Sequence, residues 1–358
     1  MKNKKAISLI VLVIVIIVMT ILAATVIITL SNTNIINEAN NAVKKTEAQQ
    51  IEEMKTLMLA DGMLGKNPGQ QQVGDTLLIW NDDEKRVMAI GTKNTERDGV
   101  TIPGGFGYVQ GTKDTGLVIE DKEGNQFVWI PVEYTATGTT DSNGLDTGFA
   151  SVFKRGTYDS TTKKMTGAVP DEYLEPANVS ETAAWKSMMQ SVEKNHGFYI
   201  ARFVAGVDDA TEEEIKQGHL NSTEGRKLVS KKNVMYYYGI AYKNAGISDM
   251  YDSDAYVVST LPYGAQWDAM LNFIASSGRD ISQIKRESAN AKLVTGLGEQ
   301  ILNIDDLVRT MGEFTMEYQK NGDMDFRIRR SVASFADRQM APEDLGAGVM
   351  FRVALYIK

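Results

Sequence analysis

Between Ala6 and Leu30 the chain reads AISLIVLVIVIIVMTILAATVIITL, 25 residues without a charged side chain. A helix needs about 20 apolar residues to cross a bilayer. In hydrocarbon such a stretch survives only by bonding its own backbone, which makes it helical. Lys2, Lys4 and Lys5 precede it and the next charge is Glu38, so the positive-inside tendency holds the N-terminus in the cytoplasm. The expectation is a single-pass cell-membrane protein, with a cytoplasmic leader over 1–6, a transmembrane helix over 7–30 and an extracellular head. A cleaved secretory signal would have a shorter apolar core, about 7–15 residues, followed by a small-x-small site. Ala23-Ala24-Thr25 is the one candidate for that site, and the run is too long and too rich in β-branched residues to suit it.

Past Leu30 the helical pattern continues, with Ile36, Ala39, Val43, Ile51, Met54 and Met58 at spacings that fit one face. Asp61-Gly62 and Gly65-Lys66-Asn67-Pro68-Gly69 end it, since Gly suits a helix C-terminus and Pro cannot continue one. This predicts one helix from about Ser8 to Leu59, with residues 31–65 as a helical stalk. A β-rich subdomain is expected over 66–135, where TLLIW and RVMAIGT flank Asn81–Glu84, and where Lys122–Asn125 reads as a hairpin turn. Residues 135–182, rich in Thr, Ser, Gly and Asp, are expected to be long surface loops. Helices are predicted over 183–195 and 265–278, a buried strand over 197–206 and a closing strand at VMFRVALYIK. Few helices among antiparallel strands make the expected head α+β, occupying 136–358.

The absence of cysteine excludes disulfides, thiolate metal sites and cysteine nucleophiles. A net charge of −8 disfavours a general electrostatic grip on nucleic acid, which is not an expected partner. Asp82-Asp83-Glu84, and Asp208-Asp209 with Glu212-Glu213-Glu214, are the acidic clusters in which calcium would find hard oxygen ligands. Runs of acids are more often solvated turns or helix starts, and neither cluster matches an EF-hand loop. Glu313 and Glu317, four apart on a helix, would place two carboxyls on one face for acid–base work. Tyr236, Tyr237, Tyr238 and Tyr242 offer stacking rings, although on a strand alternate rings enter the core. Arg327, Arg329 and Arg330 read as a salt-bridged strand face, and GGFG and GLGE are turns, not phosphate loops.

Five segments between 197 and 358 together resemble the formylglycine-generating-enzyme (sulfatase-modifying-factor) branch of the C-type-lectin fold. GFYIARFVAG resembles its FYIGRYEVT strand, LPYGAQWDAM its LPTEAEWE helix start, and RTMGEFTMEY its GNVWEWT segment. RIRRSVASF is similar to the RGGSW strand, and MFRVAL to the terminal GFRVA. The resemblance implies a C-type-lectin-like head with antiparallel strands, few helices and many loops. It implies no known chemistry of that branch. The copper-binding cysteine pair is absent, and His196 and His219 are the only histidines where iron-dependent relatives have a histidine-rich site. Glu313 falls where the family has a structural hydrogen-bonding residue. The loops near the C-terminus usually form the ligand face in this fold, which nominates Tyr236, Tyr238, Arg330, Phe335 and Arg338 as ligand-binding residues.

The N-terminus resembles type IV prepilins, in which basic residues and a small residue lead into a long apolar helix. The prepilin peptidase would cut between Ala6 and Ile7, where Ala6 replaces the usual Gly. Val11 stands where pilins carry the glutamate that neutralises a neighbouring subunit's ammonium, a charge costly to leave unpaired. The expected function is non-catalytic display of a lectin-fold head that binds a protein or glycan on the bacterial surface. The alternatives are a structural or minor subunit of a type IV pilus or pseudopilus, engaging that secretion machinery, and an enzyme with a reworked metal site.

Overall fold

The computed structural model describes residues 15, 18, 19, 35–176, 181–218, 220–222, 225–237, 245–284, 295–296, 299–307, 312–321, 324–330, 337–342 and 349–358. They belong to two compact units, 1–87 and 88–358. In the first, α1 (Ile35–Met63) precedes β1 (Gln70–Val73) and β2 (Thr76–Asn81), which pair antiparallel. Gly74, at φ 55°, supplies the left-handed residue of the tight turn between them. Met58 on α1 is buried, and the Trp80 ring lies so close to Gly62 that a Cβ there would approach it to 2.3 Å. Val43, from the same predicted stripe, is exposed.

The membrane-spanning expectation, and the fold and single-pass localisation built on it, are corrected here. Among the described residues no helix is long and apolar enough to cross a membrane. The one long helix described, α1, carries Glu38, Lys44, Lys45, Glu47, Glu52, Glu53, Lys55 and Asp61, charges that hydrocarbon would not accept. Most of 7–30, and both Ala6 and Ile7, lie outside the described residues. The architecture is mostly antiparallel sheet with few helices.

The strand β3 (Arg86–Gly91) carries the chain into the second unit, which opens with the hairpin of β4 (Thr95–Arg97) and β5 (Val100–Ile102). Its main sheet contains β6 (Phe106–Gln110), β7 (Val118–Asp121), β8 (Gln126–Pro131), β12 (Gly197–Ala201), β15 (Val257–Thr260) and β20 (Ala354–Ile357). The order is β15-β20-β12-β8-β7-β6 and every pairing is antiparallel. Strands β6 to β8 thus join β12 and β20 in one sheet, with no division at residue 136. The β7–β8 turn forms as expected, because the Asp121 carboxylate accepts from the Glu123 and Asn125 amides and the Asn125 side chain.

Both faces of this sheet are dry. Phe198 and Ile200 of β12, with Val128 and Ile130 of β8, point into one apolar cluster. That cluster is roofed by Met188, Met189 and Val192 of α3 (Thr182–Asn195) and by Trp267, Met270, Leu271 and Ile274 of α5 (Gly264–Ser276). Tyr199 and Ala201, with Phe127 and Trp129, point into a second cluster that includes Val100, Phe106, Leu228 and Phe351. The period-two alternation of a strand therefore divides each sequence run between two cores.

The 135–182 stretch, expected as loops, is structured. It contains α2 (Thr147–Val152), the hairpin of β9 (Thr157–Asp159) and β10 (Lys164–Gly167), and β11 (Tyr173–Leu174). Phe149, Phe153 and Met165 are buried from it. Asp146 caps α2 through the Gly148 amide and also accepts from the Thr137 and Gly138 amides, which replaces long-range pairing with local bonds. Smaller elements are β13 (Gly206–Val207) with β14 (Met235–Tyr236), and α4 (Glu212–Gln217).

A second sheet is built on β16 (Gly312–Asn321). It pairs with β11, with β17 (Met324–Arg330) and, in parallel, with β19 (Val349–Met350), and β18 (Arg338–Pro342) adds to β17. Glu313 and Glu317 are therefore strand residues, not neighbours on a helical face.

Candidate functional site

Strands β17 and β18 set Arg330 and Arg338 directly opposite each other. Two like charges so placed repel unless something bridges them. Asp268 from α5 and Glu317 from β16 do so. Arg330 Nη2 donates to Asp268 Oδ1 at 2.6 Å and Nη1 to Glu317 Oε2 at 2.9 Å. Arg338 Nη2 donates to Asp268 Oδ2 at 2.7 Å and Nε to Glu317 Oε1 at 2.9 Å. The four groups make a closed ring in which each carboxylate serves both arginines, one oxygen apiece. Their side chains are 0 % exposed, except Arg338 at 5 %. Removing such ions from water costs several kcal/mol each, recovered only when nearly every donor and acceptor is engaged. The remaining bonds meet that condition: Arg330 Nε donates to the Asp337 carbonyl, Arg338 Nη1 to the Gly156 carbonyl, and the Gly156 amide to Asp268.

The first turn of α5 closes over this ring. A Cβ at Gly264 would stand 2.3 Å from Glu317 Cγ, so only glycine lets the helix start so near the strand. Glu175, after β11, accepts from the Gly264 and Ala265 amides, buried donors of the helix start that have no acceptor within the helix. Arg155 donates to the Tyr173 carbonyl and lies 3.5 Å from Glu317. Loss of water, and then the Glu317 carboxylate, push the Glu175 carboxyl up to about 7, against the pull of Arg155 and the two amides. Burial works to raise Glu317 as well, but Arg330, Arg338 and Arg155 outweigh it and hold that carboxyl below its usual range. For Arg338 burial favours deprotonation, and Asp268 with Glu317 more than reverse it, so the guanidinium stays charged.

Beside the ring lies a groove of about 490 Å³ lined by Thr157, Tyr158, Pro170, Tyr173, Ser282, Asp337 and Arg338. Its wall is fastened by Asp280, whose Oδ1 accepts from the Tyr158 hydroxyl at 2.7 Å and the Ser282 hydroxyl at 2.7 Å. Neither Glu175 nor Glu317 lines the groove.

Of the nominated residues that are described, only Arg338 reaches this groove. Arg330 is fully buried in the ring, so it is a structural cation instead of a ligand contact. Tyr236 is also buried, its hydroxyl donating to Asp306, and presents no stacking face to solvent. Tyr238 and Phe335 lie outside the described residues, as do Tyr242 and His219. Glu313 forms a separate buried pair with Arg352, which also donates to the Ala201 and Asp305 carbonyls. His196 ends α3 in a left-handed conformation, its ring 5.2 Å from that of Tyr134.

The acidic clusters are occupied by protein partners. Asp82 accepts from Trp80 and Lys85, and Asp208 pairs with Lys231. Glu214 caps α4, and the Thr211 and Asn221 amides, followed by Arg226, hold its carboxyl at about 2. Among the described residues no group of three histidine or acidic side chains is placed to hold a metal ion.

Asp268 and Glu175 were missed by sequence reasoning. Asp268 sits alone among apolar neighbours in AQWDAMLNF, and a lone acid within a core helix signals a buried cationic partner. Glu175 carries no such signal, because its neighbourhood reads as loop. No family model matches the sequence, and no curated protein or solved structure matches it.

Proposed function

We propose that the 88–358 unit is a non-catalytic binding module that captures a polar ligand, protein or glycan, in the groove beside Arg338. The observation that carries this reading is the saturation of the charged residues behind the groove. Asp268, Glu317 and Arg330 are bonded to one another and buried, which suits a rigid floor and leaves none of these three poised to move a proton. The groove itself offers hydroxyls, tyrosine rings and one immobilised guanidinium, the mixture of apolar wall and few fixed polar groups common to ligand clefts. The resemblance over 197–358 points the same way, since it comes without the cysteine or histidine sites of the resembled enzymes.

One observation favours acid–base catalysis: Glu175 and Glu317 are neighbouring carboxyls whose proton affinities are pushed apart. A general acid must lie within hydrogen-bond reach of its substrate. Neither carboxyl lines the groove, so binding is the better reading. The test is biolayer interferometry of the full chain against panels of oligosaccharides and folded proteins, with Tyr158→Ala in parallel. Capture by the wild type, weakened in a variant that still melts cooperatively, supports the proposal. Turnover of a panel compound that Glu175→Gln abolishes would replace it with the catalytic reading.

A further inference from the structure

The chemistry of the groove narrows its ligand, on the footing of the binding role proposed above. A guanidinium carries five N–H bonds. Arg338 spends three on Glu317, Gly156 and Asp268, and among the described residues the other two are not engaged. Its side chain lines the groove while held on three sides, so it presents fixed donors at little entropic cost. Its positive charge is already shared with two carboxylates, and Asp337 lines the same groove. Among the described lining residues an anionic ligand would therefore meet Asp337 and a single cation, Arg338, already paired with two carboxylates. A wholly apolar ligand would leave the two remaining Arg338 N–H groups without water or an acceptor, a cost that a hydroxyl-rich ligand avoids.

Two half-buried tyrosines, Tyr158 and Tyr173, complete the wall. Tyrosine supplies a broad flat contact with only two side-chain torsions to freeze. Tyr173 is further steadied from behind, because its carbonyl accepts from Arg155 and its backbone pairs with β16. At about 490 Å³ the groove falls within the range of small-molecule clefts, roughly 300–1,000 Å³, and is too small to seat a folded partner's surface.

We propose that this groove binds a neutral, polyhydroxylated sugar ring, stacking its C–H face on tyrosine and offering its hydroxyl oxygens to the Arg338 N–H groups. The ring of ion pairs serves as the rigid seat of those donors, and the tyrosines set the plane of the sugar. Recognition needs no metal in this arrangement, because the donors are protein N–H and O–H groups.

The experiment is saturation-transfer NMR and calorimetry on the full chain with neutral disaccharides containing glucose, galactose, mannose or N-acetylglucosamine. Glucuronate-containing disaccharides and an oligolysine peptide serve as comparison probes. The expected result is saturation of at least one neutral sugar, insensitive to EDTA. Its affinity should fall about tenfold or more in Tyr173→Ala and stay near the wild-type value in Tyr173→Phe, which keeps the ring. Both variants should still melt cooperatively, since the backbone bonds of Tyr173 do not depend on its ring, and Tyr173→Phe keeps the ring over which the Arg338 guanidinium lies, 6.0 Å from its centroid. If the glucuronate sugar or the peptide binds instead and Tyr173→Ala weakens it, the sugar assignment is overturned while the binding role stands. If no probe binds, or if binding ignores Tyr173→Ala and Tyr158→Ala alike, the groove is not the ligand site and both readings fall.

Discussion

Replacing Arg330 with Met is the sharpest perturbation of the ring. The substitution keeps most of the side-chain length but deletes three donors, those given to Asp268, Glu317 and the Asp337 carbonyl. Breaking a buried ion pair by removing one partner costs about 3–5 kcal/mol, because the other partner stays buried and uncompensated. Here both orphaned carboxylates keep Arg338, and Glu317 also keeps Arg155 at 3.5 Å, which places the expected loss at the lower end, about 3 kcal/mol. For a domain of this size each kcal/mol moves the midpoint by about 2–4 °C, so calorimetry should show a fall of about 6–12 °C. Urea denaturation should give a matching drop in midpoint with an unchanged slope. Adding Asp268→Leu to Arg330→Met should cost less than the sum of the two single losses, since each removes a partner the other needs. A midpoint shift below about 2 °C for Arg330→Met in a cooperatively folding protein would refute the ring as a buried, mutually neutralising unit.

Two further predictions concern the helix start above the ring. The folded Glu175 carboxyl releases its proton near 7, against an ordinary value of 4.5. Between those values the folded chain holds a proton that the unfolded chain has lost, so the stabilisation is complete below about 4.5 and is lost as pH rises through 7. At about 1.4 kcal/mol per tenfold the full step would be about 3 kcal/mol, and contact with solvent at this half-buried group trims it to about 2 kcal/mol. Urea titrations of wild type and Glu175→Gln from pH 5 to 8 should differ by that downward slope, and parallel curves would contradict it. Gly264→Ala inserts a Cβ 2.3 Å from Glu317 Cγ, where the ring holds that side chain in place. Overpacking of this kind costs about 1–3 kcal/mol, and a neutral or stabilising result by thermal melting would mean that α5 is free to shift.

Much of the second unit was legible because its strong patterns are local. GFYIA reads as a buried strand and AQWDAMLNFIAS as an apolar helix, and each forms where its pattern lies. The turn at Lys122–Asn125 was legible through its Gly and Asn. The region 135–182 was not, because its elements are two to six residues long and rest on carboxylate-to-amide bonds, such as those of Asp146, that have no periodicity. The site was legible only in fragments. Arg330, Arg338 and Glu317 were each noticed, but as a ligand face or as a helical carboxyl pair. The residue joining them, Asp268, comes from 49 positions earlier than Glu317 in the chain, and no spacing rule connects the two. The long apolar run near the N-terminus pulled the reading toward a membrane protein, whereas the helix that follows is charged along its length.

The two dry faces of the main sheet change what keeps its strands in register. Where one face is wet, a slip by one residue exposes apolar side chains, and water itself reports the error. In β12 a slip would merely exchange Phe198 and Ile200 with Tyr199 and Ala201, and hydrophobicity is nearly blind to that exchange. Alignment with β8 must then be encoded in shape. One such mark is Gly197, where the Trp129 ring leaves only 2.3 Å for a Cβ and admits no other residue at that rung. The Tyr199 hydroxyl, which reaches the Thr101 carbonyl at 2.8 Å, is another. Volume and a single polar tip carry the information that polarity carries elsewhere, so conservative apolar swaps in β12 threaten the alignment of the whole sheet more than their lost contacts alone imply.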